Sequence, residues 1–422
     1  MELDLYSAGA RYHMAASLNT WTSLLLRAPD DSSFRRPNPA ALTARFPSRP
    51  RHSGLRSVSE TFSHAPAPAP VASTVTISYT ELNDPSADVL DIIELGYGPD
   101  GLGILSVSNV PGYTLLRQNL LHLAPSLASL SKEAKQEIED PYSRYNIGWS
   151  HGIEKLESGK PDKFKGSFYA NPILDIPSTE LSLRKRYPSY CRPNIWPCSA
   201  LPELEPAFKA LGKLILDVGL LLAYHCDRYV SKKSKMHIDG SLQQILLRSR
   251  CHKGRLLYYF PTHNCTFCSD SEEDNDSLSP WCGWHTDHGS LTGLTCGIFT
   301  RDGVELPCPD NVAGLYVKTR SGQIVKVEYK QDEIAYQIGE VTEILSGGLL
   351  CATPHCVQAP KGKAASGIDR STFALFMQPD WDEKLIFPEQ VNIHEFMIPK
   401  ESISFGDYSE KVLNKHYDGT QA

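Results

Sequence analysis

Trp284-His285-Thr286-Asp287 sets an imidazole and a carboxylate two positions apart. In an extended strand, side chains at i and i+2 leave the same face, so His285 and Asp287 can grip one ion while Thr286 and His288 turn away. Two donors do not complete such a site, and a third must come from elsewhere in the chain. Two imidazoles and one carboxylate on one face of an octahedron leave three positions open, the donor set of mononuclear iron(II) centres that activate oxygen. Taken alone, the pair is better read as a hydrogen-bonded strand histidine beside an acid. The passage GEVTEILSGGLLCATPHCVQAP supplies a candidate third donor, His355, near the end of an expected strand. Arg370 then opens the apolar run RSTFALFMQP. A guanidinium leading a buried strand is costly without an anion, and its planar fork matches a carboxylate in two-point contact. A salt-bridged strand end is the competing reading of Arg370.

These residues fall where the chain reads as β-structure. From Arg255 to about residue 380, short runs (RLLYYF, SLTGLTCGIF, GLYVKT, QIVKVEY, EIAYQI, LLCATPH and STFALFM) are separated by turns such as Arg301-Asp302-Gly303 and Ser346-Gly347-Gly348. Many short strands with such punctuation predict a sandwich or barrel, with a jelly roll as one solution. Residues 74–254 predict a supporting α/β region: a strand at TVTISY, helices over 84–95, 113–139 and 201–230, and a buried strand at GLGILSVSNV closed by Pro111-Gly112. Residues 381–422 are expected to pack on the core as a C-terminal extension.

Residues 1–73 differ in kind. They are rich in Ala, Ser, Pro and Arg, contain APAPAP and hold no lysine, since the first is Lys132. The text from Met14 is similar to an organellar transit peptide, and a disordered extension is the alternative. Chloroplast or cytoplasm is the expected location. The chain of 422 residues, 41% apolar and 22% charged, is ordinary for a globular protein. A net charge of -7 gives no reason to expect nucleic acid or an anionic membrane, and no apolar run reaches membrane-spanning length. Eleven cysteines without a disulfide rhythm suit a reducing compartment. Cys265 and Cys268, with Cys282 beyond, form a lone CxxC that reads as loop thiols rather than a zinc site.

With HTD, a distant His and Arg-Ser-Thr in an apolar strand, the chain resembles the plant-type iron(II)- and 2-oxoglutarate-dependent dioxygenases related to isopenicillin N synthase. GLGILSVSNVPG, FKGSFYANP and DEIAYQIGEVTEILSGGLLCATPH resemble that family's early strand, its middle segment and the stretch leading to its second metal histidine. The likeness runs from about Thr74 to Tyr408. It implies a double-stranded β-helix (jelly roll) core with N-terminal helical support. It implies that His285, Asp287 and His355 hold Fe(II), and that Arg370 grips the distal carboxylate of 2-oxoglutarate with Thr372 beside it. The implied reaction oxidises a small organic metabolite with O2, releasing succinate and CO2, with ascorbate as a reductant. A monomer is the expected working form.

Three departures stand out. Thr372 replaces the family's serine. The strand before the metal motif carries Phe260 where the family has a tyrosine before proline, and Tyr258 shares that face by alternation as a substitute. KGKAASG lengthens the path from His355 to Arg370. Phe376, on the arginine's strand, is a candidate wall of the substrate pocket. An iron oxidase of the same fold without 2-oxoglutarate, and a catalytically silent jelly-roll binder, are the alternative functions.

Overall fold

Alternating apolar residues and Gly/Pro turns give this chain its strands, and the computed structural model describes residues 69–154, 161–234, 241–261, 280–361, 366–387 and 402–418. Cys265, Cys268, the acidic run 270–276 and residues 1–68 lie outside the described residues. The first half supplies β1 (Val71–Ser73), β2 (Val75–Ser78), β3 (Ile104–Ser108), β4 (Gly148–His151), β5 (Lys165–Ala170) and β6 (Lys253–Tyr259). Next come β7 (Pro280–His285), β8 (Leu291–Thr295), β9 (Ile298–Arg301) and β10 (Val304–Leu306). The last group is β11 (Gly314–Lys318), β12 (Ile324–Glu328), β13 (Ile334–Ile338), β14 (His355–Gln358) and β15 (Asp369–Met377).

Two sheets face one another. The larger runs β2-β3-β13-β8-β15-β6-β5-β4, with β9 and β10 attached through β15, and the smaller runs β1-β12-β11-β14-β7. Ile104 and Ala335 of the larger sheet meet Val317, Val325 and Val327 of the smaller, while Leu257 and Tyr259 meet Trp281 and Val357. This is the sandwich of an open jelly roll. Residues 66–422 form one compact unit, and the larger sheet takes strands from both sides of residue 254. The supporting region and the core expected from sequence therefore share one sheet.

Strand alternation sorts β15 into two faces. Phe373, Leu375 and Met377 are fully buried on the outer face, under the long helix Leu204–Lys233. That helix carries Phe208, Leu211, Ile215, Val218 and Leu222 at three- and four-residue spacing, which makes one apolar stripe. It sits very close to the sheet: a Cβ at Gly219 would lie 2.4 Å from the Met377 sulfur. Phe208 meets Phe373 edge-on with ring centroids 5.0 Å apart. Arg370, Thr372, Ala374 and Phe376 are left on the inner face, toward the smaller sheet.

Several expected elements shift. The segment 113–139 is three short helices, not one, with Pro125 opening the second near its start. SLTGLTCGIF breaks into β8 and β9 at Cys296-Gly297. LLCATPH is irregular, and His355 opens β14 rather than ending a strand, because Pro354 has no N–H to give to a ladder. At the C-terminus, Phe405, Tyr408 and Val412 of the helix Phe405–Asp418 pack on Tyr187, Tyr190 and Trp381. No helix among the described residues is long and apolar enough to cross a membrane.

Candidate metal centre

His285 is the last residue of β7, and β14 pairs with it so that His355 lies directly opposite. The two imidazole rings are 4.2 Å apart at their centroids. Asp287 lies just past the strand end, in a turn whose carbonyl accepts from the Glu340 amide at 2.8 Å. Gly339 makes that docking possible, since a Cβ there would be 2.2 Å from the Gly289 carbonyl oxygen. Asp287 Oδ1 lies 3.8 Å from His285 Nε2 and 4.0 Å from His355 Nε2. Donor atoms of the three residues all fall within 4.8 Å of one another. They fit one small divalent cation.

The back of each ligand is held. His285 Nδ1 donates to the Gly283 carbonyl at 2.9 Å, so Nε2, on the side of Asp287, is the ring atom left to face an ion. The Thr292 hydroxyl donates to Asp287 Oδ2 at 2.6 Å, so Oδ1 is the oxygen free for an ion. Burial would raise the Asp287 carboxyl, but His355, His285 and Thr292 outweigh it and hold it below its ordinary value. Burial, and then the neighbouring His285, push the His355 imidazole below its ordinary value. His288 turns the other way, meeting Ser409 Oγ at 3.0 Å and the Tyr190 hydroxyl at 3.2 Å. Trp284 faces outward and is 39% exposed.

Arg370 lies on the inner face of β15 beside Tyr259, its cross-strand partner on β6. Its guanidinium is surrounded by rings, 5.2 Å from Tyr259, 5.7 Å from Trp281 and 5.8 Å from Phe299. Nη1 is sealed from solvent without a hydrogen-bond partner, and no carboxylate among the described residues pairs with the group. An aromatic box around an unpaired cation fits an anionic ligand. Gly297 makes room for it, because a Cβ there would be 2.5 Å from Arg370 Nε. Thr372 follows on the same face, its hydroxyl donating to the Thr295 carbonyl at 3.0 Å. Phe376 is on that face too, half-buried and opposite Thr292 on β8.

Tyr258 is not part of this constellation. It pairs with Ser371, on the other face of the sheet, where its hydroxyl bonds Asp369 and its ring meets Phe260 at 5.0 Å. The tyrosine beside Arg370 is Tyr259, so the face expected to lack one has it after all. A single-residue offset in register reverses every side chain, and only the pairing with β15 settles which parity is inward. Thr292, Gln337, Trp281 and Phe299 also come to the site without any spacing signal in the sequence.

Lys253 carries no sequence signal either. It is the cross-strand partner of Phe376, 6% exposed, with its ammonium bonded to the Ser189 carbonyl and lying 4.7 Å from the Tyr190 ring centre. Burial outweighs the neighbouring Cys251, Glu410 and Cys191 and lowers it from 10.5 to about 7. Because the folded value lies below the unfolded one, the unfolded chain binds more protons between these values, and this group's cost is relieved as pH rises through that window. Lys253→Met is therefore expected to stabilise the protein by a few kcal/mol (an order-of-magnitude figure) at pH 6.5 and by much less at pH 10. Urea denaturation of both proteins at the two pH values measures this; an equal difference at both would contradict it.

The chain matches no protein-family model. A probable iron/ascorbate oxidoreductase of Dictyostelium discoideum is 29% identical over 157 residues, 35% of this chain and 38% of that protein. The alignment thus spans well under half the length of this curated relative. Among solved structures, a putative 2OG-Fe(II) oxygenase family protein from Caulobacter crescentus superposes with a TM-score of 0.59 at 17% identity, covering 81% of this chain and 98% of that one. A full-length Neurospora crassa protein crystallised in complex with alpha-KG gives a TM-score of 0.57 at 19% identity, covering 81% and 95%. With the paired sheets, the long covering helix and the placement of the three donors already described, these likenesses establish that the chain has the fold of the 2-oxoglutarate- and iron(II)-dependent oxygenases.

Proposed function

We propose that the protein is an Fe(II)- and 2-oxoglutarate-dependent oxygenase that hydroxylates or otherwise oxidises a small organic molecule, releasing succinate and CO2. The observation that carries this reading is the shared inner face. It presents Arg370, a boxed guanidinium with no carboxylate partner, on the side of the larger sheet that faces the His285, Asp287 and His355 donors. Iron(II) held by the three donors supplies oxygen activation, with 2-oxoglutarate as the co-oxidised partner. Arg370 holds the distal carboxylate in a two-point contact, with the Thr372 hydroxyl able to turn from the Thr295 carbonyl toward it. Tyr259, Trp281 and Phe299 keep water from that ion pair, which strengthens it. The Neurospora crystal with alpha-KG and the name of the Dictyostelium relative, which joins iron with ascorbate, support the same reading and ascorbate as a reductant.

The test is anaerobic addition of Fe(II) and 2-oxoglutarate to the purified protein. A weak visible charge-transfer band of the chelate is expected, together with slow succinate release once air is admitted. Fe(II) uptake without that band or any succinate would point to an iron oxidase of the same fold. No Fe(II) uptake at all would overturn the metal assignment.

A further inference from the structure

Thr292, which holds Asp287, belongs to a cross-strand row running Gln337, Thr292, Phe376, Lys253 through β13, β8, β15 and β6. Gln337 is fully buried. Its Nε2 lies 2.8 Å from His355 Nδ1 and 3.4 Å from the Thr353 carbonyl. Its Oε1 is sealed from solvent with no hydrogen-bond partner. A buried amide with one end on a ligand histidine and the other on nothing is unusual, since an unpaired buried acceptor costs about 1–3 kcal/mol.

The geometry points to Gln337 as the positioning residue that sets the tautomer of His355. This inference rests on the metal reading above. An imidazole that gives Nε2 to a cation must carry its proton on Nδ1, and that proton needs an acceptor. The Thr353 carbonyl is 3.3 Å from Nδ1, a long contact, whereas the Gln337 amide is 2.8 Å away. With its nitrogen facing Nδ1, the amide donates, and the imidazole proton must sit on Nε2, the atom that should bind the ion. Turned by half a rotation, the amide presents its oxygen, accepts from Nδ1–H and frees Nε2. The turn gives up the 3.4 Å contact from Nε2 to the Thr353 carbonyl, and the shorter 2.8 Å pairing with Nδ1 decides between the two orientations. Amide oxygen and nitrogen differ little in shape, so the turn needs no repacking. One row of the sheet thus supports two of the three ligands, Asp287 through Thr292 and His355 through Gln337.

The test uses Co(II) as probe in the full-length protein, read by titration and by proton NMR of the cobalt-loaded form. The parent should show exchangeable, hyperfine-shifted imidazole N–H resonances from both His285 and His355. Gln337→Met keeps the volume and removes the acceptor. It should bind Co(II) roughly 10- to 100-fold more weakly, the usual loss for an outer partner, and lose the His355 N–H resonance while keeping that of His285. Gln337→Glu, which can only accept when ionised, should retain both resonances and bind Co(II) at least as well as Gln337→Met. If Gln337→Met keeps both resonances and an affinity within about twofold of the parent, well inside that usual loss, the inference falls while the metal reading stands. Loss of the His355 signal in Gln337→Glu would have the same consequence. A parent that takes up no Co(II) overturns both.

Discussion

His285→Ala protein is expected to show no 2-oxoglutarate chelate band and no succinate release, with its affinity for Co(II) or Fe(II) reduced by more than the roughly 10- to 100-fold that losing an outer partner costs. Three donors are the minimum for this kind of site, and the alanine leaves Asp287 and His355 alone. Asp287 would then keep a buried carboxylate with one imidazole neighbour, at the 4.0 Å separation from His355 Nε2. The fold should survive. His285 ends β7 at the rim of the smaller sheet, and its ring packs on His355 rather than in the main apolar core. Calorimetric metal titration beside a thermal melt separates the two effects. Parent-like metal affinity in the variant would show that the ion sits elsewhere.

Arg370→Met is expected to weaken 2-oxoglutarate binding by on the order of 100-fold or more, leaving Fe(II) uptake unchanged. Two charge-assisted hydrogen bonds at about 1.5–3 kcal/mol each set that scale. Methionine fills much of the space among Tyr259, Trp281 and Phe299, so the loss reads the charge rather than a cavity. Gly297→Val offers an independent arm. Its side chain would enter the space 2.5 Å from Arg370 Nε and push the guanidinium aside, raising the KM for 2-oxoglutarate without removing a hydrogen-bonding group. Unchanged 2-oxoglutarate affinity in both variants would remove Arg370 from the co-substrate site.

The three donors and the arginine were legible because their chemistry is local and costly. An i, i+2 His/Asp pair and an arginine entering an apolar strand are both conspicuous in a linear text. Even so, the strand argument for the pair was an approximation, since β7 stops at His285 and the turn docked by Gly339 and Glu340 aims Asp287. The helix Leu204–Lys233 was equally readable from its apolar period. What failed was parity. Tyr258 and Tyr259 are adjacent, both aromatic and both buried, and nothing in RLLYYF says which one faces β15's arginine.

By itself, then, the amino-acid order determined which groups could bind a metal and an anion, and where most of the strands and the covering helix would form, because side-chain chemistry and periodicity are properties of short segments. Tertiary structure decided the rest. The register of β6 against β15 selected Tyr259, the pairing of β14 with β7 set His355 opposite His285, and one cross-strand row brought Thr292 and Gln337 behind two different ligands. Those choices depend on hydrogen-bond pairing between segments far apart in the chain, and a strand carries its alternation but not the identity of its partner.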